Sequence, residues 1–160
     1  MKEVKLWYQS LAPIEVIPKV LNSLLDDDAN LLILAAYPAG TVGQIYFSVI
    51  ERATQMKVPV LSIRQSMTDG WFYEWDGKEV LPGRYLDEVN AIRLGLIPLQ
   101  KDLLRRDEVI LGVRKIASQH TDYNTIVGTA MKRFSSDAFN RRLNEIREEY
   151  NLEPILFEKF

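Results

Sequence analysis

A chain of 160 residues with 47% hydrophobic and 26% charged residues is typical of one globular domain with a substantial core. Its formal net charge of −2 disfavours a main role in nucleic-acid binding, which needs a clustered basic surface. The lack of cysteine excludes disulfides and a thiol nucleophile, and a single histidine excludes a multi-histidine metal site.

The amino-terminal part of the chain predicts a short strand over residues 4–8 and then a helix that begins near Val16. The helix carries an apolar stripe at spacings of three and four, formed by Ile17, Val20, Leu21, Leu24 and Leu25. Acidic residues 26–28 follow, and we expect them in a turn because acids oppose the dipole at a helix C-terminus. Their consecutive spacing differs from that of a calcium loop, so we expect no metal.

Residues 31–64 predict a β-α-β unit around which the rest of the chain is organised. The apolar run at 31–36 is typical of a strand covered on both faces. A helix should follow, with Ile45, Val49, Ile50, Ala53 and Met56 facing the sheet. A second apolar strand is predicted at 58–63, and the crossover between two parallel strands is right-handed in nearly all proteins.

The turn at residues 37–43 is the first candidate site, because α/β folds bind ligands at the carboxyl ends of their strands. Backbone N–H groups near Gly40, Thr41 and Gly43 could hold a carboxylate or phosphate at the start of the helix. Gln65 and Ser66 follow the second strand and could line the same cleft. Simpler interpretations stay open: the glycines serve the turn geometry, Thr41 is the helix N-cap, and Gln65 and Ser66 are solvated.

The second half of the chain predicts a hairpin and further helices. Aromatic residues at 71–75 and an apolar segment at 79–81 flank an Asp-Gly turn, and these aromatics pack in the core or cover a ligand.

A helix at 106–118 should turn Val109, Ile110, Val113, Ile116 and Ala117 inward. Residues 123–134 fit either a helix or an extended segment. A last helix is predicted at 138–150, with Phe139, Leu143, Ile146 and Tyr150 on one face, followed by a short strand or docked tail.

These elements predict an α/β protein with a three-layer α/β/α arrangement, a mostly parallel, Rossmann-like sheet, an inserted β-hairpin and a helical C-terminal tail. We divide it into an α/β domain at 1–117 and a helical extension at 118–160 that packs on the same domain.

No apolar run follows the first charges, and none approaches the roughly 20 residues of a membrane span. We therefore expect a cytoplasmic protein without membrane contact. His120, which has no partner in sequence, is interpreted as a surface or packing residue.

Several short motifs follow one another at characteristic spacings. YPAGT occurs at 37–41 and KVPV at 57–60, and Tyr85 precedes GLIP at 95–98 by ten residues. A helix with acids at its start, at 107–108, comes next. This order resembles the C-terminal domain of the asparaginase/glutaminase family, closest to its cytosolic branch, over roughly residues 5–116. The resemblance implies hydrolysis of a side-chain amide to an acid and ammonia.

The chain also departs from that family's pattern. Pro38 replaces the first glycine of the family's turn, and Thr41 replaces an asparagine that helps to hold the substrate or orient the site. The family's nucleophilic threonine lies in an N-terminal domain, within a Thr-Gly-Gly-Thr stretch that this sequence lacks. We therefore assign no catalytic residue and no cofactor, and name Gly40, Thr41, Gly43, Gln65 and Ser66 as substrate-binding candidates.

Two functions remain open at this point. The chain is either the C-terminal part of an asparaginase-like amidohydrolase, incomplete for catalysis alone, or a non-catalytic module of the same fold for small-molecule binding or oligomerisation. Expected partners are a small amide or carboxylate ligand, further copies of the chain, or an N-terminal catalytic domain. Nucleic acid is not an expected partner.

Overall fold

The computed structural model describes residues 2–8, 13–36, 44–64, 70–73, 97–98, 106–135 and 137–156, which form an α/β protein. The strands are β1 (Glu3–Tyr8), β2 (Ala29–Ala36), β3 (Val60–Arg64), β4 (Gly70–Tyr73) and β5 (Ile97–Pro98). The helices are α1 (Ile17–Asp26), α2 (Phe47–Gln55), α3 (Arg106–Gln119), α4 (Tyr123–Phe134) and α5 (Asp137–Glu149), and a 3-10 turn (Gln44–Tyr46) precedes α2.

The described strands form one sheet in the order β1-β2-β3-β4-β5. Strands β1, β2 and β3 are parallel neighbours, which agrees with the predicted β-α-β unit. Strand β4 runs antiparallel to β3, and β5 antiparallel to β4. Strand β4 covers the first part of the predicted hairpin, whose turn and second strand lie outside the described residues.

Strand β2 is apolar along its length because its alternate side chains enter two different hydrophobic clusters. Leu31 and Ile33 pack with buried residues of α3 and α4. Leu32 and Leu34 pack with buried residues of α1 and α2. Helices therefore contact the side chains of both faces of this strand, and neither face can be polar.

The first two helices largely follow the predicted stripes. In α1, Ile17, Leu21 and Leu25 are buried, whereas Val20 and Leu24 are half-buried. Helix α2 buries Val49, Ile50 and Ala53. The prediction for Met56 is wrong: it follows the last helical residue and its side chain is 40% exposed.

Three helices form the described carboxyl-terminal part of the chain, and one of them covers residues 123–134, which by sequence fitted a helix or an extended segment. All five residues predicted to face inward from α3 are buried. Residues 123–134 form a helix, because Ile126, Ala130, Met131 and Phe134 share one face that packs in the same cluster as Leu31. Helix α5 buries Leu143 and Ile146, but Tyr150 lies beyond its end and is 41% exposed, so the predicted stripe is one turn too long.

Helices α3 and α4 approach each other closely at Gly112. A Cβ atom built on this residue would overlap the Phe134 ring, whose side chain is 5% exposed. Glycine is therefore required here by the space between the helices and not by the backbone angles. This contact accounts for a glycine in the interior of a 14-residue helix, where it is otherwise unfavourable.

The segment after α5 is a docked tail and not a strand. The Asn144 side chain donates to the Ile155 carbonyl oxygen at 2.9 Å and accepts from the Ile155 N–H at 2.7 Å. Ile155 also packs on the small cluster formed by Leu143 and Ile146. One side-chain amide thus supplies both backbone partners that a neighbouring strand would have offered. Within the described ranges, no helix has the length and apolar character that crossing a bilayer requires.

Candidate functional site

The carboxyl ends of the parallel strands define the first candidate site. Tyr8 pairs with Ala35, and Ala36 pairs with Arg64, so β1, β2 and β3 end at the same edge of the sheet. The segments that leave β2 and β3 therefore start from neighbouring points. The predicted residues Gly40, Thr41, Gly43, Gln65 and Ser66 all lie on these two segments, outside the described residues, and their assignment stays a prediction.

A hydrogen bond between two aromatic side chains joins β1 to the start of the α2 region. Trp7 Nε1 donates to the Tyr46 hydroxyl at 3.2 Å, across 39 positions of sequence. Tyr46 is 2% exposed and belongs to the cluster between the sheet and helices α1 and α2, on which Trp7 also packs. This contact was not predicted, because nothing local in the sequence pairs these residues.

The start of α2 differs from the predicted one in its capping. The N-cap position is Tyr46, and no side chain caps the helix there. The simpler interpretation of Thr41 as the N-cap of this α-helix is therefore wrong. A 3-10 turn from Gln44 continues into α2 instead, which is common at helix N-termini.

A cleft of about 180 Å³ lies at the opposite edge of the sheet, beside the amino ends of β2 and β3. Its lining carries both signs of charge, from Lys2, Asp26, Asp28 and Lys57. Asp28 and Lys57 have φ values of 55° and 58°, so both turns that enter the strands pass through the left-handed region. The expectation that residues 26–28 all lie in the turn is wrong for Asp26, which is the last residue of α1.

Asn30 is the buried polar residue next to this cleft, with 3% of its surface exposed. The pairing of β1 with β2 skips it, since Glu3 pairs with Ala29 and Val4 with Leu31, so Asn30 occupies a β-bulge. Its Nδ2 donates to the carbonyl oxygens of Ala117 at 2.5 Å and His120 at 3.1 Å. These two acceptors are at the C-terminal end of α3, where helix carbonyls lack intrahelical partners.

The Asn30 Oδ1 atom has no hydrogen-bond partner among the described residues. The amide cannot be reversed to pair it, because two carbonyl oxygens need the donor side. A polar residue at the start of an apolar run is the only local feature of the sequence that accompanies this bridge. His120 is half-buried and takes part through its backbone carbonyl, which refines its interpretation as a packing residue.

Lys5 is a second buried polar residue, 8% exposed, on β1. Its Nζ lies 2.9 Å from a carboxylate oxygen of Glu3 and 2.9 Å from one of Asp27. Hydrogen bonds to Glu3 and then to Asp27 raise the pKa of Lys5 above its ordinary value, because both favour the charged form. Asp26 forms an ion pair with Arg52 of α2. Asp26 and Asp27 thus each form an ion pair with a basic side chain. In the part of the chain that the structure describes, no group of three acidic or histidine side chains could hold a metal ion.

The described fold defines an α/β protein whose three adjacent parallel strands end at a common edge. No protein-family model matches the chain, and no curated protein matches it either. The family resemblance therefore rests on the sequence motifs alone.

Proposed function

We propose that the chain is the C-terminal domain of an asparaginase-like amidohydrolase and contributes one wall of a site for a small amide or carboxylate. The observation that carries this proposal is the pairing of Ala36 with Arg64 at the carboxyl edge. It starts segments 37–43 and 65–69 from adjacent strands, and the first of these segments carries the YPAGT motif of the resemblance. This is the edge at which α/β proteins bind their ligands.

The finer architecture is part of the same proposal. A three-layer α/β/α, Rossmann-like arrangement is supported by the alternation along β2, which directs Leu31 toward α3 and α4 and Leu32 toward α1 and α2. The predicted hairpin, whose first part is β4, would be an insertion in this arrangement. The helical extension from 118 to 160 would complete the layer formed with α3, consistent with the shared cluster that contains Ile126.

In the proposed site, backbone N–H groups around Gly40, Thr41 and Gly43 would hold the ligand's carboxylate, and Gln65 and Ser66 would contact it from the neighbouring segment. Such N–H groups near a helix start favour an anion through their partial positive charge. The chemistry would require a nucleophile from an N-terminal catalytic domain, since the sequence lacks Thr-Gly-Gly-Thr. We propose a cytoplasmic location and no cofactor.

A second candidate function is a non-catalytic module of the same fold, used for small-molecule binding or oligomerisation. Pro38 and Thr41 favour it, because they replace residues that the family uses in its turn. Threonine keeps a hydroxyl but lacks the amide of asparagine, which changes what the turn can recognise. The two functions share a ligand-binding edge and differ in whether a catalytic domain must join it.

Ligand binding and ammonia release by the isolated chain test the proposal together. We expect L-aspartate and L-asparagine to bind in calorimetric titrations without ammonia release. Thr41→Val should weaken binding because it removes the hydroxyl with which Thr41 would orient the ligand, and Thr41→Ser should retain binding. Ser48→Ala, a change at an exposed position on α2, should have no effect. Ammonia release that Thr41→Ala abolishes would contradict the claim that the chain lacks its own nucleophile. An absence of binding to both ligands would contradict the site.

A further inference from the structure

We propose that the surface of α5 around Asn144 is a peptide-binding groove that takes the tail (residues 152–156) of a second copy of this chain. In the structure the chain's own tail fills the groove. Reciprocal exchange of tails between two copies would give a dimer in which each groove holds the partner's tail. This inference goes beyond the ligand site proposed above and does not depend on it.

The groove binds the backbone of the tail. The Asn144 amide bonds to the carbonyl oxygen of Ile155 at 2.9 Å and to its N–H at 2.7 Å. Arg147, about one turn further along α5, donates from Nε to the Glu153 carbonyl oxygen at 2.6 Å. The tail therefore runs antiparallel to α5. Residues 153 and 155 present backbone groups of the same edge to the helix, which is the pattern of an extended chain.

One apolar side chain adds to these backbone contacts. Ile155 is half-buried and packs on Leu143 and Ile146, which are both buried. Leu156 beside it is 87% exposed, and residues 153–154 are exposed as well. The groove thus fits an extended segment with one aliphatic residue. Because few contacts hold that segment, local undocking needs far less free energy than global unfolding.

The sequence of the tail keeps it extended after it undocks. Pro154 has a fixed φ and disfavours a helical conformation of Glu153 before it. Neither effect needs the groove, so an undocked tail stays close to its bound conformation and loses little conformational entropy when it docks again. A second copy offers the same Asn144 amide and the same apolar cluster, so its groove fits this segment as well as the chain's own groove does.

Asn151 is the hinge at which the closed and exchanged arrangements differ. Its φ of 54° lies in the left-handed region, and the Leu152 N–H donates to the Arg147 carbonyl oxygen at 2.8 Å across the turn. This turn brings the tail back along its own helix. Asparagine adopts the left-handed conformation more readily than most residues and less readily than glycine. Residue 151 therefore controls how strongly the closed arrangement is favoured.

Two complementary variants of the full chain test the exchange. Ile155→Asp keeps the groove but puts a carboxylate where an apolar side chain packs, and Asn144→Leu keeps the tail but removes both hydrogen-bonding groups. We expect the unlabelled Asn144→Leu chain to cause saturable NMR shifts at residues 139–147 of the ¹⁵N-labelled Ile155→Asp chain. The signal of the Asn144 side-chain amide should move with them.

The unlabelled double variant, which carries both substitutions, is the matched control, and its tail should bind at least about tenfold more weakly. Ile155→Gly, which removes the side chain without adding a charge, repeats the test with a second labelled chain. An absence of shifts at millimolar concentration in both labelled variants, or equal shifts from the control, would overturn the inference.

Sedimentation of hinge variants tests the exchange with the groove and tail intact. Asn151→Val should favour the dimer, since a β-branched residue disfavours a positive φ, and Asn151→Gly should favour the monomer. We expect their dimerisation constants to differ by at least about fivefold. Adding Asn144→Leu to Asn151→Val should restore the monomer. An Asn151→Val chain that stays monomeric at millimolar concentration, or a dimer that survives Asn144→Leu, would contradict exchange through this groove.

Discussion

Replacing Asn30 by alanine should destabilise the protein by breaking the bridge between the β2 bulge and the end of α3. The Asn30 amide donates to two carbonyl oxygens, those of Ala117 and His120, and the variant would leave both without this donor. Each buried acceptor that loses its partner costs about 1–3 kcal/mol. Removing the unpartnered Oδ1 relieves a penalty of similar size for one atom.

The net expectation is a loss of about 2 kcal/mol in the free energy of unfolding. For a domain of this size that corresponds to a decrease of about 4–8 °C in melting temperature. Urea unfolding monitored by circular dichroism measures the free energy, and scanning calorimetry measures the melting temperature. Leu111→Ala, at a 65% exposed position on α3, is the control and should change stability by under about 0.5 kcal/mol.

Asn30→Asp should make the free energy of unfolding depend on pH through the new carboxyl group. A carboxylate at this 3% exposed position would face two carbonyl oxygens, so burial and repulsion should raise its pKa in the folded protein. The folded state then favours the protonated acid, and the variant should be least stable at neutral pH and recover as the pH falls. An Asn30→Ala variant as stable as wild type, or an Asn30→Asp variant without this recovery, would refute the assigned role.

Three further predictions concern packing and charge. Gly112→Ala should cost about 1–2 kcal/mol, because overlap with the Phe134 ring outweighs the gain in helix propensity, and Phe134→Leu should reduce that cost in a double-mutant cycle measured by urea unfolding. The hydrogen bonds that raise the pKa of Lys5 should stabilise the fold below a pH of roughly 10.4. This stabilisation should be lost as the pH rises through the pKa of Lys5 in the folded state. The Asp122 carboxylate caps α4 by accepting from the Thr125 N–H at 2.9 Å, which lowers its pKa, so its contribution should be present above a pH of roughly 3.9 and disappear in acid.

Matched variants separate these effects from general destabilisation. In the Lys5→Met variant, the melting temperature should no longer show the decrease at alkaline pH that Lys5 causes. Lys115→Met, at an exposed position on α3, should keep that decrease. Asp122→Asn retains a capping oxygen but does not titrate, so it should melt near the wild-type temperature at neutral pH and lose the acid dependence. Asp122→Ala should melt below wild type at neutral pH, and this difference should shrink in acid. Identical pH profiles in wild type and the Lys5 or Asp122 variants would contradict the ion-pair and capping assignments.

Periodic burial was predictable from the sequence because it is a local property. The apolar run at 31–36 identified β2, and the spacing of Val109, Ile110 and Val113 identified the inner face of α3. Met56 and Tyr150 were assigned to the core because a stripe continues in sequence after its helix has ended. Periodicity alone does not mark that end.

The contacts that could not be predicted join distant residues. Asn30 and His120 are 90 positions apart, and Trp7 and Tyr46 are 39 apart. Neither pair has a motif, because a single side-chain hydrogen bond imposes no spacing on the sequence. The edge of the sheet at which β2 and β3 end was predictable from their parallel pairing, but the positions of Gly40, Thr41, Gly43, Gln65 and Ser66 stay predictions.

An NMR titration of the ¹⁵N-labelled chain with L-aspartate would locate a bound ligand residue by residue and so decide whether the carboxyl edge of the sheet binds one. We expect saturable shifts at residues 36–46 and 64–70, around the carboxyl edge defined by Ala36 and Arg64. Residues of the opposite cleft, such as Ala29, Val58 and Thr121, should not shift. Saturable shifts confined to that cleft, or none at millimolar ligand, would contradict a ligand site at the carboxyl edge.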